Sequence, residues 1–320
     1  MQKIIILLSI LFVGCNYKLS PEGNINDIIV VCSNEDQLQA QPFIDELFYD
    51  PIHTPQEESI FNIKWIKPWE INKYKKYHNL LLVSLRFPVD STGDYLMDKY
   101  LDASNTKEEI FIRENVYSNN QLIISMQAYD IIDLERIISQ SSYWIKNNVN
   151  EKYNEKIIKH IYSKGLNMDL MSYINQVYDL KFDIQKDFII LNEDENNQFI
   201  WLGRGYPYRW ISIFKIKYNK TYSFWNSLEE KVDEFMPSIS ISEYYRKKDE
   251  TYIKDNNKIN VYRGIYDHQE SETGGPFFVY EIKKIKNDEI IFLTGFVNYP
   301  GHKKINLLKG IEVLFNTVEI

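Results

Sequence analysis

The chain has 320 residues, 44% hydrophobic and 26% charged, with 12 Gly and 10 Pro, a balance that excludes a disordered or low-complexity polymer. At roughly 150 residues per domain the length predicts two modest domains or one large one, with enough core to need no disulfide framework. Its 37 basic and 45 acidic residues leave a formal charge of −8, which argues against nucleic-acid binding because no basic field is present to release counterions.

The first fifteen residues read MQKIIILLSILFVGC. Lys3 precedes an apolar run, Ile4 to Val13, broken only by Ser9. That run is too short to cross a hydrocarbon core, which takes about 20 residues. A basic start, a short apolar stretch and a small residue before the cut form a secretory signal over residues 1–14. The ending Phe12-Val13-Gly14-Cys15 resembles a bacterial lipobox, with Phe12 where Leu is usual. The resemblance implies cleavage before Cys15 and lipidation of its thiol; an ordinary signal with an incidental Cys is the other reading. Two or three acyl chains, palmitate among them, anchor a protein stably where one does not. Asn16, by resemblance to the enterobacterial sorting rule, implies the outer membrane, facing the periplasm. Residues 15–27 are polar, with Pro21 and Gly23, and read as a tether. The remaining thiol, Cys32, follows Ile28-Ile29-Val30-Val31 and reads as buried and inert.

In chain order, residues 28–32 read as a buried strand and 37–49 as a helix with Leu38, Phe43, Ile44, Leu47 and Phe48 at helical spacing. Residues 61–66 alternate as a strand, 71–77 form a short helix, and 80–85 a buried strand ended by Pro88. Strands follow at 109–116 and 121–128 around a Ser118-Asn119-Asn120 turn. Asp130 or Asp133 caps a long helix whose face includes Leu134, Ile137, Ile138, Trp144, Ile145 and Val149. Separate helices are expected at 153–164, ending at Gly165, and at 170–178. The second half reads as strands at 180–184, 188–192, 199–203 and 210–218, a helix at 224–235, strands at 261–266, 277–285 and 289–297, and a closing helix at 304–318. The expectation is α+β: a domain over 28–178 and another over 179–320, each a mainly antiparallel sheet with helices packed on it.

Several stretches carry a resemblance. They are the opening strand after Gly23, Pro55-Gln56-Glu57-Glu58 leading to Phe61, Asn79, Phe199-Ile200-Trp201-Leu202, Arg263-Gly264, Gly274-Gly275-Pro276-Phe277, Gly295-Phe296-Val297, Pro300 and Lys303-Lys304. In these the chain resembles a family of Bacteroidetes lipoproteins known by a domain of unknown function. Tyr266 stands where Trp is expected and His78 where Arg is usual. The resemblance implies address and fold and brings no activity. The element order of the second half also resembles the PsbP and Mog1 architecture.

The densest polar run is Asp267-His268-Gln269-Glu270-Ser271-Glu272. In an extended strand His268, Glu270 and Glu272 share one face, where an imidazole and two carboxylates could bind a divalent ion. The following Gly274-Gly275 favours a solvated hairpin end instead. No H-E-x-x-H, paired C-x-x-C, phosphate loop or G-x-S-x-G elbow occurs, so no cofactor is implied and no catalytic residue is named. Arg263, Tyr266, Gly274 and Gly275 are expected to border a binding surface, because glycines leave backbone approachable and Arg and Tyr contribute strongly to interfaces. Trp201 and Arg204, with Tyr206, Tyr208, Arg209 and Trp210, bracket a turn where rings beside Arg could stack on sugars or a partner. The sequence therefore points to a non-catalytic, lipid-anchored binding or scaffold protein of the envelope, with an envelope protein or glycan as partner. An envelope enzyme, metal-dependent or hydrolytic, and a peptidoglycan-binding module are the alternatives.

Overall fold

The computed structural model describes residues 19–101, 108–284 and 288–320. The leader over 1–14, Cys15 and the start of the tether lie outside the described residues. The chain divides into two compact units, one of residues 1–41 and 63–139, the other of 42–62 and 140–320. The junction expected from sequence lies at 178/179.

The first unit is built on a five-stranded sheet ordered β4-β1-β5-β7-β6. Its strands are β1 (Asp27–Val31), β4 (Asn62–Ile66), β5 (Asn79–Leu85), β6 (Ile110–Glu114) and β7 (Leu122–Ala128). The α+β class holds, but this sheet is mixed rather than mainly antiparallel: β1 pairs parallel with β5, and β5 parallel with β7, while β6 runs antiparallel to β7. The physical reason is connection length. Helices α1 (Asn34–Phe48) and α2 (Ile71–Tyr74) lie between β1 and β5, and α3 (Ser91–Leu96) follows β5. Such crossovers return the chain to the same end of the sheet, which two-residue hairpins cannot do. Ile29, Val31, Leu80, Leu82 and Ile123 pack on one face with Ile71, Tyr74 and Leu96. The Asn79 side chain donates to the Ile25 and Asp27 carbonyls at 3.1 and 2.9 Å, which ties the entry of β1 to that of β5. The later part of the tether is also tied down: Leu19 bridges to Ser118, and the Glu22 N–H donates to the Lys76 carbonyl at 3.0 Å.

The second unit is built on a seven-stranded antiparallel sheet ordered β11-β12-β13-β14-β10-β9-β8. Its strands are β8 (Ile189–Asp194), β9 (Phe199–Arg204), β10 (Tyr208–Lys217), β11 (Ile239–Lys254), β12 (Asn257–His268), β13 (Thr273–Lys284) and β14 (Glu289–Asn298). A small pair, β2 (Pro51–Ile52) and β3 (Glu58–Ser59), belongs to the same unit. Helix α6 (Phe224–Phe235) presents Phe224, Leu228, Val232 and Phe235 as one stripe, which buries itself against Phe199, Phe214, Phe277, Phe292 and Phe296. The opposite face carries α7 (Ile305–Phe315), whose Phe315 lies 5.0 Å from Phe278.

Other elements also differ from expectation. The helices read at 134–149 and 153–164 are one helix, α4 (Ile131–Tyr162), because no Gly or Pro interrupts them. Residues 180–184 alternate in burial as a strand would, yet only Lys181 bridges, to Glu319, so no ladder forms. Strand β11, 16 residues long, was not expected because its run of Lys, Arg, Asp and Glu hides the period of an exposed edge.

Candidate functional site

Register places one end of the large sheet on view. Tyr208 pairs with Asn298, Arg209 with Arg204, Phe277 with Phe296, His268 with Thr273, and Ile239 with His268. The β9–β10 turn, the β12–β13 turn, the exit of β14 and the starts of β8 and β11 therefore gather at that end. The site residues singled out in the second half of the sequence lie on or near it, except Arg263, which pairs with Phe278 further along β12.

Two of them are withdrawn into the fold, which corrects their reading as contact residues. Tyr266 is 0% exposed, and its hydroxyl donates to the Val297 carbonyl at 3.1 Å. Arg263 is held by Asp249 at 2.6 Å and Glu312 at 2.5 Å, with Lys309 closing the network on Glu312 at 2.8 Å. Burial alone would weaken the Arg263 guanidinium, but Glu312 and Asp249 outweigh it and hold its pKa above the usual value. Desolvation would raise buried Glu312, but Lys309 and then Arg263 outweigh it and keep it below the usual carboxylate range. The two glycines are explained by close approach and not by an open backbone. A Cβ on Gly275 would sit 1.9 Å from the Val297 oxygen, and one on Gly274 would sit 2.4 Å from the Tyr266 oxygen.

Beside that turn lies an open cavity of about 510 Å³, lined by Ile265, Asp267, His268, Glu272, Gly274 and Lys304 among others. His268 Nδ1 is buried without a hydrogen-bond partner among the described residues, and its ring lies 5.7 Å from Trp210. Glu270 accepts instead from Ser238 Oγ at 2.7 Å. Among the described residues no group of three or more His, Cys, Asp or Glu is placed to hold a metal ion. The cavity's far wall explains the Pro55-Gln56-Glu57-Glu58 stretch. The buried Glu58 carboxylate accepts from the Lys304 and Ile305 N–H groups at 2.7 and 3.0 Å, at the start of α7. A carboxylate there satisfies orphan donors and meets the positive end of the helix.

A second cavity, of about 350 Å³, is lined by Asp187, Ile189, Leu191, Gly203, Arg204, Gly205, Tyr208 and Trp210. Tyr206 and Tyr208 stand 60% and 44% exposed. Ring centroids run from Tyr299 to Tyr206 (5.3 Å), to Tyr208 (5.5 Å) and to Trp210 (6.1 Å), and Trp201 meets Trp210 edge-on at 6.0 Å. The result is one row of aromatic side chains, wet at one end and buried at the other. Trp201 is half-buried against the core, with its indole N–H lacking a partner among the described residues. Arg204 is only 8% exposed at its side chain, donates to Gln185 Oε1 at 2.8 Å and pairs with Asp187. Residues not singled out from sequence are Tyr299 and His302, stacked at 4.4 Å, and the exposed apolar run Ile189-Ile190-Leu191. Three consecutive apolar residues cannot all face one side of a strand, and β8 is the sheet's edge.

The first unit holds a different cluster, at the C-terminal ends of its parallel strands. Asp36 is fully buried; its Oδ2 accepts from the Leu85 N–H at 3.0 Å, and its Oδ1 has no partner among the described residues. Ser33 Oγ donates to Asp90 at 3.0 Å, and Asp90 caps α3 through the Thr92 and Gly93 N–H groups. Burial, with Asp90 adding to it, raises Asp36 to about 6. Burial first, then these two carboxylates, pushes the Cys32 thiol well above its ordinary value, which is the inert state expected of it.

Three solved structures resemble part of the chain. A crystal structure from Bacteroides thetaiotaomicron is 12% identical, matched over 44% of each chain, with a TM-score of 0.26. The Saccharomyces cerevisiae Ran-binding protein Mog1p is 6% identical over 44% of this chain and 89% of its own, TM-score 0.30, and a Mog1 mutant is 7% identical over 44% and 90%, TM-score 0.31. The chain thus spans less than half of the Bacteroides protein's length. No curated protein matches. Residues 21–162 match the model of one domain of unknown function (DUF8532) and residues 167–317 that of another (DUF4837).

Proposed function

We propose that this is a non-catalytic, lipid-anchored binding protein of the cell envelope, held through Cys15 in the outer membrane facing the periplasm, and that it binds carbohydrate at the aromatic end of its second sheet. The row Tyr299, Tyr206, Tyr208 and Trp210 carries the reading. Sugar rings offer C–H faces that stack on aromatic rings, and their hydroxyls need a few fixed polar groups. Asp187 and Arg204 stand in the wall of the cavity beside Tyr208, and Asp267, His268 and Gln269 in the wall of the other. The lipobox-like ending at Gly14-Cys15 supports the address.

Binding of the purified full chain to envelope polysaccharides and peptidoglycan tests the ligand. A positive fraction should quench tryptophan fluorescence, and Tyr208→Ala and Tyr206→Ala should each weaken binding about tenfold, the loss expected of one stacked ring. Equal binding by both variants sinks the carbohydrate reading. Separately, Cys15→Ser should abolish palmitate labelling and move the protein to the soluble fraction; a labelled or membrane-held variant sinks the address.

A further inference from the structure

Along β10, Arg209 alternates with Tyr208 and Trp210 and so points to the face of the sheet opposite the aromatic row. Directly across from it on β9 stands Arg204, so two guanidiniums face each other at neighbouring positions, an arrangement that repels. The Nε atoms of both are buried without partners among the described residues. The chain around them is built and not incidental. Gln185, which accepts from Arg204, bridges to Leu166 and donates to the Ile161 carbonyl, and the Lys186 N–H donates to the Gly165 carbonyl at 3.1 Å. These bonds bring the end of α4, with His160, and the turn after it, with Lys164, toward Arg204 and so toward its strand neighbour Arg209. Burial and then Lys164, Arg209 and Arg204 depress the His160 imidazole, and burial followed by Arg204 lowers Arg209 to about 10. Arg209 has no ion pair or hydrogen bond to a described residue, and Asp187 is the carboxylate that pairs with Arg204.

We propose that Arg204, Arg209, His160 and Lys164 form a seat for a phosphate-class oxyanion. Three permanent cations against one carboxylate leave a surplus of two charges, which a dianion neutralises and a single carboxylate does not. The planar fork of each guanidinium suits tetrahedral oxyanions, and a partly desolvated setting strengthens each charge-assisted bond. In a chain carrying a formal charge of −8, such a local surplus is not a by-product of composition. The seat shares Arg204 with the wall of the cavity beside Tyr208, but Arg209, His160 and Lys164 lie outside that wall, so a phosphate response read at His160 is distinguishable from carbohydrate binding.

The test is titration of the full chain with inorganic phosphate, followed by the His160 ring signals in NMR, against chloride at matched ionic strength. Phosphate should saturate one site and raise the His160 pKa, because an anion stabilises the imidazolium. Arg209→Gln should weaken phosphate binding at least about tenfold and Lys164→Gln by a smaller factor, through loss of one charged partner each. Lys164 is exposed, so its variant keeps the measurement meaningful should Arg209→Gln alter folding. A His160 response equal in chloride and phosphate, or unchanged phosphate affinity in both variants, overturns the proposal. A soluble short-chain phosphatidic acid and glucose 6-phosphate separate the sources. Tighter binding of the first identifies a lipid headgroup, tighter binding of the second a phosphorylated sugar, and equal binding of all three the free ion.

Discussion

Where β1 and β5 end in the first unit, a carboxylate pair is folded inward. Asp36 is fully buried and Asp90 spends its oxygens on Ser33 and the start of α3. At the end of the second unit's sheet where β9 turns into β10, rings stand in solvent and Arg209 has no carboxylate partner of its own. Both ends carry charge in low-dielectric surroundings, but in the first unit the Leu85 N–H, Ser33 and the start of α3 supply donors to the carboxylates, whereas Arg209 meets no acceptor among the described residues. Buried charge alone is therefore a poor guide to function here. What separates the two regions is whether the charge has a partner and whether a cavity adjoins it.

The sharpest way to test that distinction within the second unit is Arg263, a charge that the fold does satisfy. Arg263→Ala leaves Asp249 and buried Glu312 without their cation, and breaking a buried network from one side costs about 3–5 kcal/mol. Urea unfolding should record that loss while binding at the aromatic row is unchanged in the folded fraction. A folded variant of wild-type stability would mean the network contributes nothing.

Asp36 probes the first unit through pH. Its pKa rises from 3.8 to about 6 on folding, so the native state binds a proton more tightly than the unfolded chain. The stabilisation from that proton is complete below pH 3.8 and is lost as pH rises through about 6. Over that window the loss is about 3 kcal/mol, at 1.36 kcal/mol per pH unit. Asp36→Asn removes the titration, so the stability of the variant relative to wild type should climb by that order between pH 4 and 7. A difference flat in pH would show that Asp36 titrates as it does in the unfolded chain.

Glu58 is a smaller lever on the same comparison, because its carboxylate is satisfied by backbone. Glu58→Gln keeps an oxygen for one N–H group but loses the charge that faces Lys304 at 3.9 Å and the start of α7. The expected cost is about 1–2 kcal/mol, the range of a lost helix cap. Thermal unfolding of the variant checks it.

How far the sequence revealed this follows from where each signal lived. The stripe Phe224, Leu228, Val232 and Phe235 gave α6 its observed bounds, since a lone amphipathic face followed by Pro237 has one reading. Gly274-Gly275 marked a hairpin, yet the glycines were misread as approachable, because only register reveals the Val297 oxygen beneath Gly275. Strand direction in the first sheet was invisible, since parallel and antiparallel strands that are buried on both faces both read as apolar runs. Helix α3 escaped notice because it has six residues with Gly93 inside, and its capping Asp90 resembles any turn residue. Tyr206, Tyr208 and Arg204 were legible as a constellation, whereas Tyr299 and His160 join it only through tertiary contacts.

The smallest expected effect concerns Arg209 itself. If the second unit keeps an unsatisfied charge for a ligand, removing it should leave the free protein no worse, and slightly better. Arg209→Gln relieves repulsion from Arg204 across the strand pair and the desolvation of a guanidinium, and it gives up part of a packed aliphatic stem. Like charges directly opposite in a sheet are worth roughly 0.2–1 kcal/mol, so a net gain of a few tenths is expected at low salt. Because the relieved term is electrostatic, the gain should shrink as salt is added. Addition of phosphate should reverse the order, since the wild type, binding more tightly, then gains more from it. A variant destabilised by more than about 1 kcal/mol in every buffer would place Arg209 with Arg263, as a charge that the fold needs, and would close the distinction between the two ends.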